Sequence, residues 1–289
     1  MSPSVNDRVA GAALGIAAWL CGGISLLILI WVGVEAIPAL NNDPGISSLL
    51  GDAHWLPGSV REPQFGMLPI LAGSVLVTIF SIIPATVAGV GCAVFQRFYA
   101  PKWMRTFLRR VLELLAGIPS VVIGFWGLVV LVPILQKWQP PGQSLAAAAI
   151  VLAIMILPTV ALTASTALKN VSPGLFRAAA ALGMGRARTI LGVALPTARR
   201  GIAGGVILAA ARAIGETMAV VMVCGNVAQW PGSIFDPIRP ATATIALEMS
   251  YATAGHRSVL FALAFFLVLV VGAAVGWIAF RKPSTPHRR

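Results

Sequence analysis

An all-α membrane protein with six transmembrane helices is the fold class this sequence predicts, and three observations predict it. Of 289 residues, 58% are hydrophobic and only 10% charged, a balance foreign to soluble globules. Six apolar stretches each exceed the ~20 residues that cross a bilayer. The Lys and Arg residues between them are abundant in one set of alternate loops and sparse in the other, as membrane orientation requires. A single polytopic bundle accounts for the whole length.

Segment 1 spans about Val9 to Val34. It is well beyond the ~7 to 15 apolar residues of a signal-peptide core, so it reads as a retained span. Segment 2 runs from Leu68 to Phe95 with Pro69 at its mouth and Pro84 inside. Segment 3 runs from Val111 to Leu135 and holds Pro119; segment 4, Leu145 to Leu168, surrounds Pro158. Segment 5 covers Gly201 to Val223 and segment 6 covers Val259 to Phe280. Interior prolines free backbone carbonyls, which is tolerable where neighbouring helices or a water-lined path resatisfy them. Kinks around a path and plain packing irregularity are both open readings.

The N-terminal residues 1–8, the loops 96–110 and 169–200, and the tail 281–289 together hold sixteen Lys and Arg. The opposite loops hold four, Arg61, Lys137, Arg239 and Arg257. Both termini are therefore expected in the cytoplasm. The net charge of +12 follows from that asymmetry, so nucleic-acid binding is not expected. Cys21, Cys92 and Cys224 lie in or near apolar runs without metal-type spacing. His54, His256 and His287 fall in loops or tail, and neither a nucleotide-binding G-x-x-x-x-G-K-[ST] nor a hydrolase motif is present. No enzyme is expected, no metal, and no nucleotide hydrolysis by this chain; transport energy would come from a partner or an ion gradient.

The outward loops 35–67 and 224–258 are long, which is uncommon unless a loop folds locally or binds something. They either cover the bundle mouth or dock an outer partner. Ala241 to Ala252 is apolar enough to dip back toward the bilayer at an outer gate.

Within segment 5, LAAARAIGETMAV places Arg212 and Glu216 at i and i+4, so a direct ion pair on one helix face is expected. A charge at mid-membrane costs about 2.5 to 3.5 kcal/mol even on insertion scales and normally faces a bundle interior or solute path. Two readings stand: a self-neutralised pair that locks segment 5 to its neighbours, or an arginine that offers positive potential to a passing anion while the glutamate holds it and keeps binding weak. Glu113, four residues after Arg109, reads as a snorkelling interfacial pair. Gly117, Gly124 and Gly127 permit close helix approach.

One polar interruption, Leu175 to Pro196, carries Arg177, Arg186 and Arg188 without an acidic residue. Its Ala178 to Ala181 run favours helix and Gly183-Met184-Gly185 favours a turn, so a short helix, a turn and a second helix stopping at Pro196 are expected on the cytoplasmic face. Ile190, Leu191 and Leu195 would seat this unit on the bundle.

That interruption resembles the EAA loop of ABC importer permeases: Ala178, Ala179, Gly183, Val193, Leu195 and Pro196 fall on the motif, whereas Arg177 occupies the place of its glutamate. Ile156 to Asn226, with Gly215-Glu216-Thr217-Met218-Ala219-Val220 and Gly225-Asn226, resembles the phosphate permeases of the PstC type, as does Gly117-Ile118-Pro119-Ser120. The resemblance implies a type I ABC importer permease fold with a cytoplasmic coupling helix, in a bacterial inner membrane. It implies pairing with a second homologous permease (PstA type), two ATPase subunits (PstB type) and an extracytoplasmic phosphate-binding protein (PstS type). It assigns ATPase coupling to Arg177, Ala178, Ala179, Gly183, Val193, Leu195 and Pro196, and the phosphate path to Arg212 and Glu216. No cofactor is implied for this chain; ATP and Mg would sit on the ATPase partner. A permease for molybdate, sulfate or phosphonate would share the loop but not the GETMAV stretch, and an ion-coupled secondary transporter would show an internal repeat, which is not seen.

Overall fold

A computed structural model of the chain describes residues 5–41, 45–52, 54–59 and 63–280. The expected tail 281–289, part of the N-terminal stretch 1–8, and Asp43, Arg61 and Glu62 of the first outer loop lie outside the described residues. The order of elements is α1 (Val5–Asn41), α2 (Gly45–Gly51), a two-strand ribbon of β1 (Trp55–Leu56) and β2 (Gln64–Phe65), then α3 (Leu68–Phe98) and α4 (Lys102–Gly117). There follow α5 (Ser120–Trp126), a π-turn at Gly127–Leu131, α6 (Val132–Gln136), α7 (Leu145–Lys169) and α8 (Pro173–Ala181). The chain continues with α9 (Arg186–Thr189), a second π-turn at Ile190–Ala194, α10 (Leu195–Ile214), α11 (Met218–Val223), α12 (Ala241–Glu248) and α13 (Ala254–Phe280).

Five of the described helical stretches are long and apolar enough to cross a membrane: α1, α3, α7, the run Arg186–Ile214, and α13. A sixth span is counted when α4 and the run Ser120–Gln136, bent by 95° at Ile118 and Pro119, are taken together. Helix α7 sits at the centre. Its Leu152, Met155, Ile156, Val160 and Ala164 are fully buried, with α3 against one flank and α10 against another. Ser144 caps α7 by accepting from Ala147 N at 3.2 Å, and the amides of Ser144, Leu145 and Ala146 donate to the carbonyls of Val223, Asp236 and Ile234. Carbonyls of the outer loop thus satisfy N–H groups that a helix start leaves without internal partners. Helices α1 and α13 pair beside this core, where the rings of Trp31 and Phe261 meet edge to face at 5.3 Å.

Three boundaries differ from the sequence expectation. Segment 3 is not one straight span from Val111 to Leu135. Pro119 lacks the N–H that would continue α4, and Ile118 is extended (φ −69°, ψ 129°), so the chain turns by 95° between α4 and the run Ser120–Gln136. Segment 5 is not one helix from Gly201 to Val223, since α10 ends at Ile214 and α11 restarts at Met218. The helix expected to stop at Pro196 passes through it and is continuous from Arg186 to Ile214. Pro133 and Pro196 each follow a π-turn by two residues. An i→i+5 turn moves aside the carbonyl that a proline ring would strike, so both helices continue.

Tight packing explains Gly124 and Gly127 but not Gly117, where an added Cβ would meet nothing within 4 Å. A Cβ added at Gly124 would lie 2.5 Å from Ala219 Cα, and one at Gly127 would lie 2.5 Å from a methyl of Val151. Gly124→Val is expected to cost about 1–3 kcal/mol through overpacking. A thermal unfolding scan of the detergent-purified chain would show a lowered midpoint, and an unchanged midpoint would contradict this contact.

Candidate functional site

The inner polar unit is built from α8 and the start of the α9–α10 helix. Ser172 begins α8 by accepting from Gly174 N at 3.3 Å, with Pro173 preset for the first turn. The helix closes with Gly183 N donating to Ala180 O and Met184 N to Ala179 O, both at 3.0 Å. These two bonds form a Schellman closure around Gly183 at φ +67°, a conformation that L side chains rarely adopt. Phe176 stacks at 5.9 Å on Phe98 at the end of α3, and the Arg186 guanidinium lies 5.3 Å from the Tyr99 ring. Ala179 and Ile190 are buried, and Val193 and Leu195 are half-buried. Leu191, expected to seat the unit, is instead 68% exposed. One residue after buried Ile190, it points about 100° around the helix and away from the bundle.

Arg177, Ala178, Arg186 and Arg188 are exposed, as are Pro196 and Leu182, the last at 80%. A shallow groove runs along Gly185, Arg186, Arg188, Leu191 and Gly192. The inner unit therefore presents a basic and apolar surface that the other described residues do not cover.

Arg212 and Glu216 do not form the expected pair. Spacing of i and i+4 brings side chains together only in an unbroken helix, and Gly215 caps α10 between them, its N–H donating to Ala211 O. Glu216 then turns onto α11, where its Oε1 accepts from Ala219 N at 3.2 Å. Its carbonyl accepts from Thr242 Oγ1 of α12 at 2.7 Å. Glu216 thus caps a broken helix, and Arg212 is exposed with no ion pair or side-chain hydrogen bond among the described residues. Twelve residues beyond Arg200, it stands about 18 Å further along the helix axis.

A second polar cluster escaped the sequence reading. Glu248, at 2% exposure, accepts from Trp55 Nε1 on both oxygens at 3.1 and 3.0 Å, pairs with Arg239 Nη1, and lies 2.9 Å from His256 Nε2. Arg239 Nε also donates to Asn226 O at 2.8 Å. Asn226 follows Gly225, both with left-handed backbone (φ +56° and +84°), and an added Cβ at Gly225 would meet Pro237 at 2.5 Å. The cluster ties the first outer loop, the second outer loop and the start of α13 to the end of segment 5. Its members are far apart in sequence, so spacing alone carried no signal.

Residues 85–281 match the family model described as binding-protein-dependent transport system inner membrane component. The chain is 38% identical to the probable ABC transporter permease protein YqgH of Bacillus subtilis, over 86% of this chain and 82% of that one. It is 31% identical to the phosphate transport system permease protein PstC of Xylella fastidiosa, over 92% and 85%. It is 35% identical to that of Mesorhizobium japonicum, over 77% and 74%. Among solved structures, a bacterial alginate ABC transporter crystallised with its alginate-bound periplasmic protein superposes with a TM-score of 0.65 at 14% identity, covering 95% of each chain. An inward-facing MetNI methionine ABC transporter superposes at 0.55 and 19% identity, covering 75% of this chain and 95% of the other. At those identities the likeness concerns the fold, that of type I ABC importer permeases.

Removing the Glu248 carboxylate leaves Arg239, half-buried with a side chain 21% exposed, without its counter-charge. Glu248→Ala is expected to destabilise by about 3 kcal/mol, the low end of the loss for a broken buried pair, because the remaining Arg239 keeps some access to solvent. Trp55→Phe, which removes the donor and puts a smaller aromatic ring in place of the indole, is expected to cost about 1.5–3 kcal/mol through the lost hydrogen bond to a charged group. Unfolding midpoints of the two variants, measured side by side, would order them this way.

Proposed function

Because the chain belongs to the family of binding-protein-dependent transport system inner membrane components, we propose that it forms one half of the membrane path of an ATP-driven inorganic phosphate importer. The single observation that carries an anion path is Arg212. A cation near mid-membrane, exposed on this chain and left without a partner among its described residues, requires a polar surrounding from elsewhere. A second permease of the PstA type, lining a shared aqueous path, would supply it. Phosphate as the transported anion is supported by the relatives named as phosphate transport system permeases.

On this reading α8 is the coupling helix. Leu182, Leu191 and the arginines at 177, 186 and 188 would dock on two ATPase subunits of the PstB type, which bind ATP and Mg; an extracytoplasmic phosphate-binding protein of the PstS type would deliver the ion. Arg177, where the motif has glutamate, would meet acidic rather than basic ATPase side chains. Ala178, Ala179, Gly183, Val193, Leu195 and Pro196 keep the helix, its turn and its joint to α10 in shape. Both termini lie in the cytoplasm of a bacterial cell with the multi-pass bundle in its inner membrane. Arg212 attracts the ion, and Glu216, bonded to Ala219 N, holds the helix break open rather than holding Arg212.

Reconstituted with its co-purifying subunits, the chain is expected to support ATP-dependent uptake of labelled phosphate, and uptake of molybdate or sulfate instead would overturn the assignment. Arg212→Gln is expected to lower flux by about tenfold or more, through loss of the attracting field, with little change in complex stability. Gly183→Val places a β-branched residue at a left-handed position with open space around it. Phosphate uptake is then expected to fall about tenfold while ATP hydrolysis and assembly persist, as for loss of a coupling free energy; normal uptake would remove Gly183 from the coupling role.

A further inference from the structure

A basic cavity of about 380 Å3 lies where the ends of α3 and α7 meet the polar face of α4, within the about 300–1,000 Å3 range of ligand pockets. Arg97 and Lys169 reach it from the last turns of α3 and α7. Arg105, Arg109 and Arg110 reach it from α4. Glu113, the single acidic residue in the lining, is engaged by Arg109 at 2.7 Å. Compensation of two helix C-termini, each worth about half a negative charge, still leaves a surplus of about three positive charges. Arg97, Arg110 and Lys169 have no ion pair or side-chain hydrogen bond among the described residues.

The neutral lining is also built to donate. Gln96 is 4% exposed, and among the described residues its amide nitrogen has only the Cys92 sulfur, at 3.5 Å, as acceptor. Sulfur is a weak acceptor, so the amide is left with donor capacity on the cavity side. Ser165, half-buried in the same lining, donates to no carbonyl among the described residues.

Helix α4 fixes the depth of this cavity. Its 95° bend sets it nearly perpendicular to the run Ser120–Gln136, and Trp103, Phe107, Val111 and Leu114, spaced i, i+4, i+8 and i+11, form an exposed apolar arc beside the basic face. A helix of this pattern lies in the headgroup layer with its apolar side toward the acyl chains. We infer that the cavity between α3, α4 and α7 binds a phosphoryl oxyanion at the inner membrane surface. Arginine and lysine side chains would hold its oxygens, and Gln96 and Ser165 would complete the shell. The inference stands apart from the transport path, because Arg212 is on a different helix and is absent from this lining. A phospholipid headgroup and free inorganic phosphate share this chemistry, and the test separates them.

The full chain, purified in detergent and stripped of lipid, would be compared with Arg97→Gln/Lys169→Gln and with the charge-keeping Arg97→Lys/Lys169→Arg. One arm offers phosphatidylglycerol or phosphatidylcholine and reads retained lipid by native mass spectrometry. The other offers inorganic phosphate, with chloride at equal ionic strength as the reference, and reads the unfolding midpoint. A preference of about tenfold for phosphatidylglycerol, lost in the Gln variant and kept in the charge-keeping one, supports the site with a headgroup as ligand. Saturable stabilisation by phosphate alone, with the same variant dependence, supports it with the free anion. Absence of both effects, or an effect equal in the Gln variant, overturns the inference. If the double Gln variant does not fold, Arg110→Gln at an exposed position serves the same comparison, with a loss of about threefold expected; no loss would overturn the inference.

Discussion

The Glu248 carboxylate organises the outer half of the molecule. Buried at 2% exposure, it gathers an indole N–H, a guanidinium and an imidazole from three separate segments. A buried carboxylate is tolerable only when its lone pairs are occupied and its charge answered. The requirement fixes where the first outer loop, α12 and the start of α13 stand relative to one another. Through Arg239 and Asn226 it reaches the end of segment 5, and α12, which carries Glu248, also carries the Thr242 hydroxyl bonded to Glu216. The helix break beside Arg212 is therefore braced from the outer side.

The inner half follows a different logic. There the backbone is satisfied within helices and the surface is left open, basic and partly apolar, from Leu182 to Leu191. Phe176 and Arg186 anchor this surface to the end of α3. One end of the protein is closed by internal polar bonds, and the other is shaped for contact with something else.

The crossings were legible in the sequence because apolar length and loop charge are long-range averages, insensitive to single residues. The turn at Gly183 was legible too, since few residues other than glycine adopt its backbone conformation. The bend before Ser120 was hidden: an apolar run from Val111 onward conceals a change of direction that Pro119 alone announces. The Arg212 and Glu216 spacing misled because it presumes a continuous helix, and Gly215 ends it. The Glu248 cluster joins residues up to 193 positions apart, a relation that no local pattern records.

From Arg186 to Ile214 the chain is one uninterrupted helix of 29 residues. At about 1.5 Å per residue it is a rod of roughly 40 Å with Arg212 near its far tip. A tilt of only 10° about the Arg186 end would sweep that tip sideways by about 7 Å, more than the ~5.4 Å of one helical turn. Small angular displacements at the Arg186 end are thus magnified at the Arg212 end by leverage alone, without any internal rearrangement of the rod.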